Sequence, residues 1–340
     1  MKEFGSDFHY IQLNEASLGL ISHFYPDAVY YASGRQALID LYHQMGWKRM
    51  WMPEYFCYNV MSSLMSSGVN VAFYFDYPLN DDNETVRSIP FEKGDVLFRM
   101  NYFGLRAQRT NNAIPVPVIE DHSHDLIGDW AMNSDADWCI ASLRKTLPLA
   151  EGGILWSPKG FKIQSSPVVK EFNEELASRR WRAMRLKAMY LDDKIQDKSQ
   201  FRAELISTED QFNSTTVSAL DTKTADYIKR FDLNQWYLRK RENWSLLKDI
   251  KTDDMFSILE PESPNCNPFS LTLLFNEEEQ RNNYRQALIN NDVYPAILWA
   301  IPSEKPSELI DFSRRMMSIH CDARYNVNDM IKLRDIITHC

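Results

Sequence analysis

The sequence lacks the features that mark a membrane or secreted protein. Its 340 residues contain no run of about 18 consecutive apolar residues, so no membrane-spanning helix is expected. The first residues, Met1 to Asp7, have no apolar core of the kind found in a signal peptide, which favours a cytoplasmic protein. Internal repeats and low-complexity segments are also missing. A composition of 44% hydrophobic and 25% charged residues indicates an ordinary globular protein with one large and one smaller domain.

Cysteine and positive charge are also scarce. The cysteines are odd in number and widely separated, at Cys57, Cys139, Cys266, Cys321 and Cys340. Such spacing offers no disulfide framework and no Cys-x-x-Cys metal site. His122 and His124 beside Asp121 suggest metal ligation as an alternative, but no second cluster has suitable spacing, so no metal is expected. The net charge of -9 argues against a nucleic-acid partner, although a phosphorylated small substrate is still allowed.

Apolar strand-like runs alternate with helical patterns in the first half of the chain. This alternation predicts a largely parallel sheet that helices cover on both faces. The sequence becomes helical and charge-rich from about 168 to 245, and a proline-rich piece at 261–268 then precedes a new strand at 269–275. The seven strand candidates of the sheet are 29–32, 49–52, 69–76, 95–102, 116–120, 138–141 and 153–156.

One lysine lies in a tight turn between two of these strands. Pro148 and the pair Gly152–Gly153 force the chain to turn between the runs 138–141 and 153–156, and Lys145 lies in that turn. This position presents Lys145 at the mouth of the sheet, where α/β proteins bind ligands. Taken alone, a lysine of this kind is more often a solvated loop residue.

A second candidate side chain follows another strand. The apolar run 116–119 ends abruptly in Glu120 and Asp121, with His122 and His124 just beyond. An acid at the carboxyl end of a strand is a candidate for a ligand site. The alternative role for Asp121 is that of a helix cap for the residues after it.

The third candidate is the start of a helix. A strand ends at Ser33–Gly34, and an amphipathic helix follows through Leu41 and Tyr42. Ser33 with Gln36 three residues later forms the pattern of a capping box, which places the free N–H groups of the helix at Ser33. Such a helix end binds phosphate readily, and the alternative is a helix that is simply well capped.

An anion-binding helix start, an acid after a strand and a lysine in a strand turn, in this chain order, indicate pyridoxal phosphate. A lysine forms a Schiff base with the cofactor aldehyde, an acid pairs with the pyridinium nitrogen, and a helix N-terminus takes the phosphate. No other common cofactor uses these three parts together.

The same segments resemble the DegT/DnrJ/EryC1/StrS family of fold-type-I sugar aminotransferases. The resemblance covers most of the chain, and its main motifs are Ser33 to Leu38, Glu120–Asp121 with His124, and Lys145 with Gly152–Gly153. It implies an α/β fold with a mostly parallel seven-stranded sheet between helices and a smaller C-terminal α+β domain. The expected division is a cofactor-binding domain at 1–240 and a small domain at 241–340.

The resemblance also implies roles for individual residues. Lys145 carries the cofactor and acts as general acid and base, Asp121 pairs with the pyridine nitrogen, and His124 contacts the side of the phenolic oxygen. The implied phosphate-binding residues are Ser33, Ser142 and the backbone amides of Gly34 and Arg35. Two further elements of the family resemble Arg241 to Trp244 and Asp322 to Tyr325.

Three departures from the family pattern stand out. Ser142 lies three residues before the lysine, whereas many members have their serine five residues before it. Cys57 occupies the position of the aromatic residue that usually stacks on the cofactor ring, so either Cys57 covers that face or Tyr58 does. The asparagine that reaches the partner subunit's phosphate corresponds to Asn213, although the residues after it differ.

The resemblance implies an aminotransferase that moves an amino group from an amino acid, with glutamate as the expected donor, to a keto sugar that is linked to a nucleotide. A homodimer is expected, and the long amphipathic stretch from Lys170 to Tyr190 agrees with it. The dehydratase branch of the family has histidine in place of the lysine, so Lys145 argues against that branch. Two alternatives stay open: another reaction type on the same cofactor, and a non-catalytic or regulatory member of the fold.

Overall fold

The computed structural model describes residues 2–13, 19–212, 216–250 and 254–340. The strands are β1 (Phe4–Gly5), β2 (Val29–Tyr31), β3 (Arg49–Pro53), β4 (Val71–Tyr74), β5 (Asp95–Met100), β6 (Val118–Asp121), β7 (Trp138–Ser142), β8 (Gly153–Trp156), β9 (Phe256–Ile258), β10 (Leu271–Phe275), β11 (Val293–Tyr294) and β12 (Met316–Ile319). The helices are α1 (Ile21–Phe24), α2 (Gly34–Met45), α3 (Tyr58–Ser66), α4 (Asp82–Ser88), α5 (Asp129–Met132), α6 (Glu171–Leu191), α7 (Ser199–Gln211), α8 (Thr222–Ile228), α9 (Leu233–Leu247), α10 (Glu278–Asn290), α11 (Ser307–Arg315) and α12 (Val327–His339).

The central sheet has seven strands in the order β2-β8-β7-β6-β5-β3-β4. The strands from β7 through β4 pair in parallel, whereas β8 is antiparallel to both β7 and β2. Apolar side chains bury both faces of this sheet, as expected when helices cover the two sides of parallel strands. All seven strand candidates of the sequence are therefore confirmed, with bounds that differ by a few residues.

Helix α2 begins where the sequence predicts, but only half of the expected capping box forms. The Ser33 hydroxyl accepts a hydrogen bond from the Gln36 backbone N–H at 3.3 Å. The Gln36 side chain turns away from Ser33, donates to Asn173 Oδ1 at 3.1 Å and accepts from the Ser218 backbone N–H at 3.0 Å. Gln36 is buried, so its amide satisfies these partners in the interior instead of closing the box.

The long helix α6 packs mostly within its own subunit. The large apolar side chains Leu176, Trp181 and Met184 are buried there, whereas Phe172 and Met189 stay exposed. Only some of the large apolar side chains of this stretch are therefore exposed and could be covered by a partner chain.

The C-terminal part forms its own small sheet, in the order β12-β10-β9, around a separate apolar core. The expected division at 240/241 falls inside helix α9 and stays a prediction. At the other end of the chain, β1 pairs in parallel with β11, which joins Phe4 to Val293. No helix in the described part of the chain combines the length and apolarity that a membrane crossing requires.

Candidate active site

Asp121 and Lys145 meet at the carboxyl edge of the central sheet. Asp121 is the last residue of β6, and Lys145 ends a single helical turn, 143–145, that follows the neighbouring strand β7. Both side chains line a cavity of about 40 Å³, together with Ser33, Gly34 and Ser142. The structure thus brings together the helix start, the acid and the lysine that the sequence analysis identified separately.

Two glycines allow the helix start to lie against the ends of β7 and β8. A Cβ atom on Gly34 would lie 3.2 Å from Cβ and from the backbone nitrogen of Ser142. A Cβ atom on Gly153 would lie 2.3 Å from the carbonyl carbon of Ser33, a distance at which the backbone must move. Gly153 is therefore required for the packing of the first turn of α2 against the start of β8.

The Asp121 carboxylate is buried but only partly used by the protein. It accepts a hydrogen bond from the Ser123 backbone N–H at 2.8 Å, and it makes no other side-chain hydrogen bond within the described part of the chain. The next helix, α5, begins only at Asp129, so Asp121 is not a helix cap. One oxygen of this carboxylate is thus available to a ligand in the cavity.

His124 lines the larger cleft that adjoins the cavity at Lys145. Burial, followed by the charges of Lys145 and Lys240, lowers the pKa of His124 well below its usual value, so the ring is neutral. Its Nδ1 accepts a hydrogen bond from the Phe103 backbone N–H at 3.0 Å, which leaves the ring hydrogen on Nε2. His124 therefore has a single donor to offer a bound oxygen.

Cys57 and Tyr58 are the two residues expected to cover the cofactor ring, and this expectation stays a prediction. Cys57 lines the larger cleft and Phe56 lines the small cavity with Asp121 and Lys145. The Tyr58 hydroxyl donates to the backbone carbonyl of Glu54 at 3.0 Å. The adjacent residue Phe56 is a further aromatic side chain that lines the small cavity.

Arg144, the residue before Lys145, makes a bidentate ion pair with Glu209 at 2.7 and 2.8 Å. Arg180 adds a hydrogen bond of 3.3 Å to the same carboxylate. The guanidinium groups of Arg144 and Arg180 lie 4.5 and 5.2 Å from the centroid of the Phe212 ring. Burial raises the pKa of Glu209, but Arg144 and Arg180 outweigh it and hold that pKa at about 2. Glu209 therefore fixes the turn that carries Lys145.

The larger cleft has a volume of about 660 Å³. Seven lysine or arginine side chains line it against four carboxylates, although the whole chain carries a net charge of -9. The N-terminal segment forms part of the wall of the cleft. Lys187 Nζ and Arg324 hold this segment in place, because they donate to the backbone carbonyl of Asp7 at 2.7 and 3.1 Å. The cleft is thus locally cationic and is suited to anionic ligands.

The sequence analysis did not single out Trp299, which lies beside Lys145. The centroid of its ring is 5.7 Å from Lys145 Nζ and 5.8 Å from the His124 ring, with an angle of 20° between the two planes. Trp299 lies in a loop between β11 and α11, far along the chain from Lys145. The sequence around Trp299 gives little indication of a site, because its only local feature is a tryptophan between Pro295 and Pro302.

The two remaining family-like elements have mainly structural contacts. Arg241 donates to Asn267 Oδ1 at 2.7 Å, and Trp244 packs in the C-terminal core. Arg324 pairs with Asp322 at 2.9 Å and also lines the cleft. The Gly5 backbone N–H donates to the Tyr325 hydroxyl at 2.7 Å. Asn213, the expected contact to a partner's phosphate, lies outside the described residues.

A buried cluster of possible metal ligands lies on the other side of β6. Strand pairing places Cys139 opposite Glu120, and these two with His122 have donor atoms within 4.8 Å of one another. Sequence spacing could not show this, because Cys139 comes from the adjacent strand. The Glu120 carboxylate already accepts hydrogen bonds from Asn111 at 2.7 Å and Ser134 at 2.5 Å, so its lone pairs are used within the protein.

Solved structures resemble this fold over almost the whole chain. The Streptococcus pneumoniae protein Spr1654, assigned as a sugar aminotransferase and solved in its PLP form, has a TM-score of 0.65 at 9% identity, over 99% of this chain and 98% of that one. The aminotransferase TlmJ from Streptoalloteichus hindustanus has a TM-score of 0.63 at 12% identity, over 94% and 87%. Helicobacter pylori PseC, an aminotransferase involved in the biosynthesis of pseudoaminic acid, has a TM-score of 0.60 at 11% identity, over 99% of both chains.

The similarity confirms the predicted fold, a mostly parallel seven-stranded sheet of the fold-type-I transferases. No protein-family model and no curated protein matches the sequence. The assignment to the DegT/DnrJ/EryC1/StrS family therefore stays a prediction.

Proposed function

We propose that this protein is a pyridoxal-phosphate-dependent aminotransferase that transfers an amino group from an amino acid, with glutamate as the expected donor, to a nucleotide-linked keto sugar. The observation that carries the proposal is the meeting of Asp121, Lys145 and the N-terminus of α2 around one cavity. Of the solved proteins of the same fold, Spr1654 is assigned as a sugar aminotransferase and PseC is named as an aminotransferase of pseudoaminic acid biosynthesis, which supports the proposal.

The residues of the cavity fit the cofactor. Ser33, Gly34 and Ser142 line the small cavity at the N-terminus of α2 and would hold the phosphate there. Asp121 keeps one carboxylate oxygen for the ring nitrogen, and Lys145 has the primary amine that the aldehyde requires. Phe56 provides an aromatic face next to both.

When bound, pyridoxal phosphate supplies the electron-withdrawing ring that stabilises negative charge on the donor's α carbon. Lys145 would hold the cofactor through its amine, and the same amine, once free, would move the proton from the donor's α carbon to the cofactor carbon that receives the amino group. Asp121, as a carboxylate, keeps the ring nitrogen protonated. His124 would offer its Nε2 hydrogen to the phenolic oxygen, and Glu209 holds Arg144 and so fixes the turn that carries Lys145.

The cationic cleft supports an anionic acceptor such as a nucleotide-linked sugar. The experiment is a screen of keto sugars, free and nucleotide-linked, with glutamate as donor and mass spectrometry to detect aminated products. An aminated nucleotide sugar is the expected result. Cofactor binding without any aminated product would favour the regulatory or non-catalytic alternative.

The attachment site of the cofactor can be tested directly. Purified protein is expected to be yellow, and borohydride reduction should leave the pyridoxyl mass on a peptide that contains Lys145. Lys159 serves as an internal control, because it pairs with Asp137 at 3.0 Å and does not line either cavity. A label on Lys159 or Lys162 in place of Lys145 would contradict the assignment.

We also propose that the protein acts as a homodimer. The exposed apolar side chains at the start of α6, Val168, Val169 and Phe172, support an interface at this end of the helix. Light scattering at assay concentration should give twice the mass of one chain. A fully active monomer would contradict the dimer and any role for Asn213 in a partner's site.

A further inference from the structure

Hydrogen bonds hold the backbone at Trp299, and the indole ring lies at the wall of the cleft. The Tyr55 hydroxyl donates to the carbonyl of Leu298, and Ser313 Oγ donates to the carbonyl of Trp299 at 2.5 Å. The rings of Phe56 and Phe103 lie close to the indole, with centroids at 5.7 and 6.4 Å. The side chain is only half-buried, because the ring also borders the cleft.

The indole, Lys145 and His124 form one corner of the cleft. The amine lies 5.7 Å from the centroid of the indole ring, and the imidazole is nearly parallel to that ring. A molecule that reacts at Lys145 must therefore pass beside an aromatic surface. Farther out, the wall becomes cationic, with Arg180, Lys198 and Arg324 among its residues.

An indole face attracts groups with polarised C–H bonds and offers no hydrogen bond to a carboxylate. An amino acid such as glutamate is an open chain with charged ends, so its recognition depends on cations. A pyranose has a flat side on which axial C–H bonds point outward while its hydroxyl groups lie at the rim. The aromatic corner thus matches the ring of a sugar better than it matches the amino donor.

We infer that Trp299 is the platform on which the sugar ring of the acceptor lies while its keto carbon is held near Lys145. This inference depends on the proposed function, in which a keto sugar is the acceptor. It assigns Trp299 to specificity: the residue selects the acceptor and leaves the reaction with the donor unaffected.

The test compares Trp299→Leu and Trp299→Phe with the parent protein. The reaction with L-glutamate alone, followed by absorbance, reports the donor step, and turnover of the keto sugar found in the screen reports the acceptor step. Trp299→Leu should lower kcat/KM for the sugar by about tenfold and leave the donor step within about twofold of the parent. Trp299→Phe, which keeps an aromatic face, should lose less.

A binding measurement that needs no turnover uses methyl β-D-glucopyranoside as the probe. Saturation-transfer NMR should show transfer from the protein to the axial hydrogens of one face of the sugar, and Trp299→Leu should abolish it. Trp47→Leu is the matched control, because Trp47 packs against Tyr42 with centroids 6.5 Å apart and lies outside the cleft. This control should behave as the parent does.

Equal losses in the donor and acceptor steps of Trp299→Leu would overturn the inference, because Trp299 would then act on Lys145 or on the cofactor. Unchanged acceptor kinetics would also overturn it. A parent protein that does not react with glutamate contradicts the proposed function, and the NMR measurement then decides about Trp299 separately. Saturation transfer that depends on Trp299 supports the platform, and transfer that persists without the indole overturns it.

Discussion

Glu120 and Asp121 are consecutive carboxylates on strand β6, and the alternation of the strand directs them to opposite faces of the sheet. Glu120 accepts hydrogen bonds from Asn111, Ser134 and His122 at 2.7, 2.5 and 3.2 Å. Asp121 accepts one, from Ser123, and faces the cavity that contains Lys145. A carboxylate whose two oxygens both accept hydrogen bonds from the protein contributes to the stability of the fold, whereas a buried carboxylate with an unused oxygen at a cavity is available for chemistry.

The electrostatics of Glu120 agree with this distinction. Burial alone raises the pKa of Glu120, but the hydrogen bond and charge of His122 with the hydrogen bond of Ser134 outweigh it and hold the pKa below its usual range. The ionised form of Glu120 is thus stabilised by the protein itself.

The largest effect is expected for Asp121→Asn. The variant loses the charge that keeps the ring nitrogen protonated, so turnover should fall by about a hundredfold or more. The melting temperature should change little, because Asp121 accepts only one protein hydrogen bond. Steady-state kinetics and thermal unfolding measured on the same preparation check this. Turnover equal to that of the parent would show that Asp121 has no role in the reaction.

Glu120→Gln should show the opposite pattern. Asn111 and Ser134 donate to different oxygens of Glu120, and an amide replaces one of these oxygens by an NH₂ group, so the free energy of unfolding should fall by about 1–3 kcal/mol. Activity per folded molecule should stay that of the parent. Urea unfolding with an activity titration measures both quantities. A stoichiometric metal ion in the purified parent, found by mass spectrometry of the elements, would instead make Glu120, His122 and Cys139 a ligand set.

Glu151 provides a third carboxyl group, and its expected effect is the smallest. Burial, with the charge of Asp221 adding to it, raises the pKa of Glu151 to about 9, although its carboxyl accepts a hydrogen bond from the Asp221 backbone N–H at 2.7 Å. Since the unfolded chain releases this proton at a lower pH, the group favours folding in acid and loses that contribution as the pH rises toward 9.

Glu151→Gln removes this titration. Its melting temperature relative to the parent should therefore rise from pH 5 to pH 8.5. Calorimetry at both values checks the slope, with Glu171→Gln on the exposed start of α6 as the control. Parallel curves for parent and variant would mean that Glu151 is ionised in the folded protein.

Local patterns were sufficient to predict the strands of the sheet and the position of Asp121 and Lys145 at its edge. The strand of Val118 and the turn of Lys145 follow from apolar runs and from Pro148, and strand order then brings Asp121 beside Lys145. These predictions succeeded because the carboxyl ends of parallel strands lie at one edge of the sheet.

Other features depend on contacts between distant segments and could not be predicted from the sequence. Trp299 reaches Lys145 from a loop near the C-terminus, and Glu209 reaches Arg144 from helix α7. The Gln36 side chain does not complete the capping box, because it forms hydrogen bonds with Asn173 and Ser218 instead. In each case the local sequence pattern does not indicate the partner, because tertiary packing brings the two distant residues together.

The pairing of β1 with β11 and the hydrogen bonds to the carbonyl of Asp7 have a practical consequence. Glu3, Ser6, Asp7 and Phe8 belong to the wall of the cleft, so this segment helps to shape the proposed substrate site. An affinity tag fused next to these residues is expected to alter the shape of the cleft and so to affect ligand binding. The other end of the chain, where His339 and Cys340 are exposed, is the safer point of attachment.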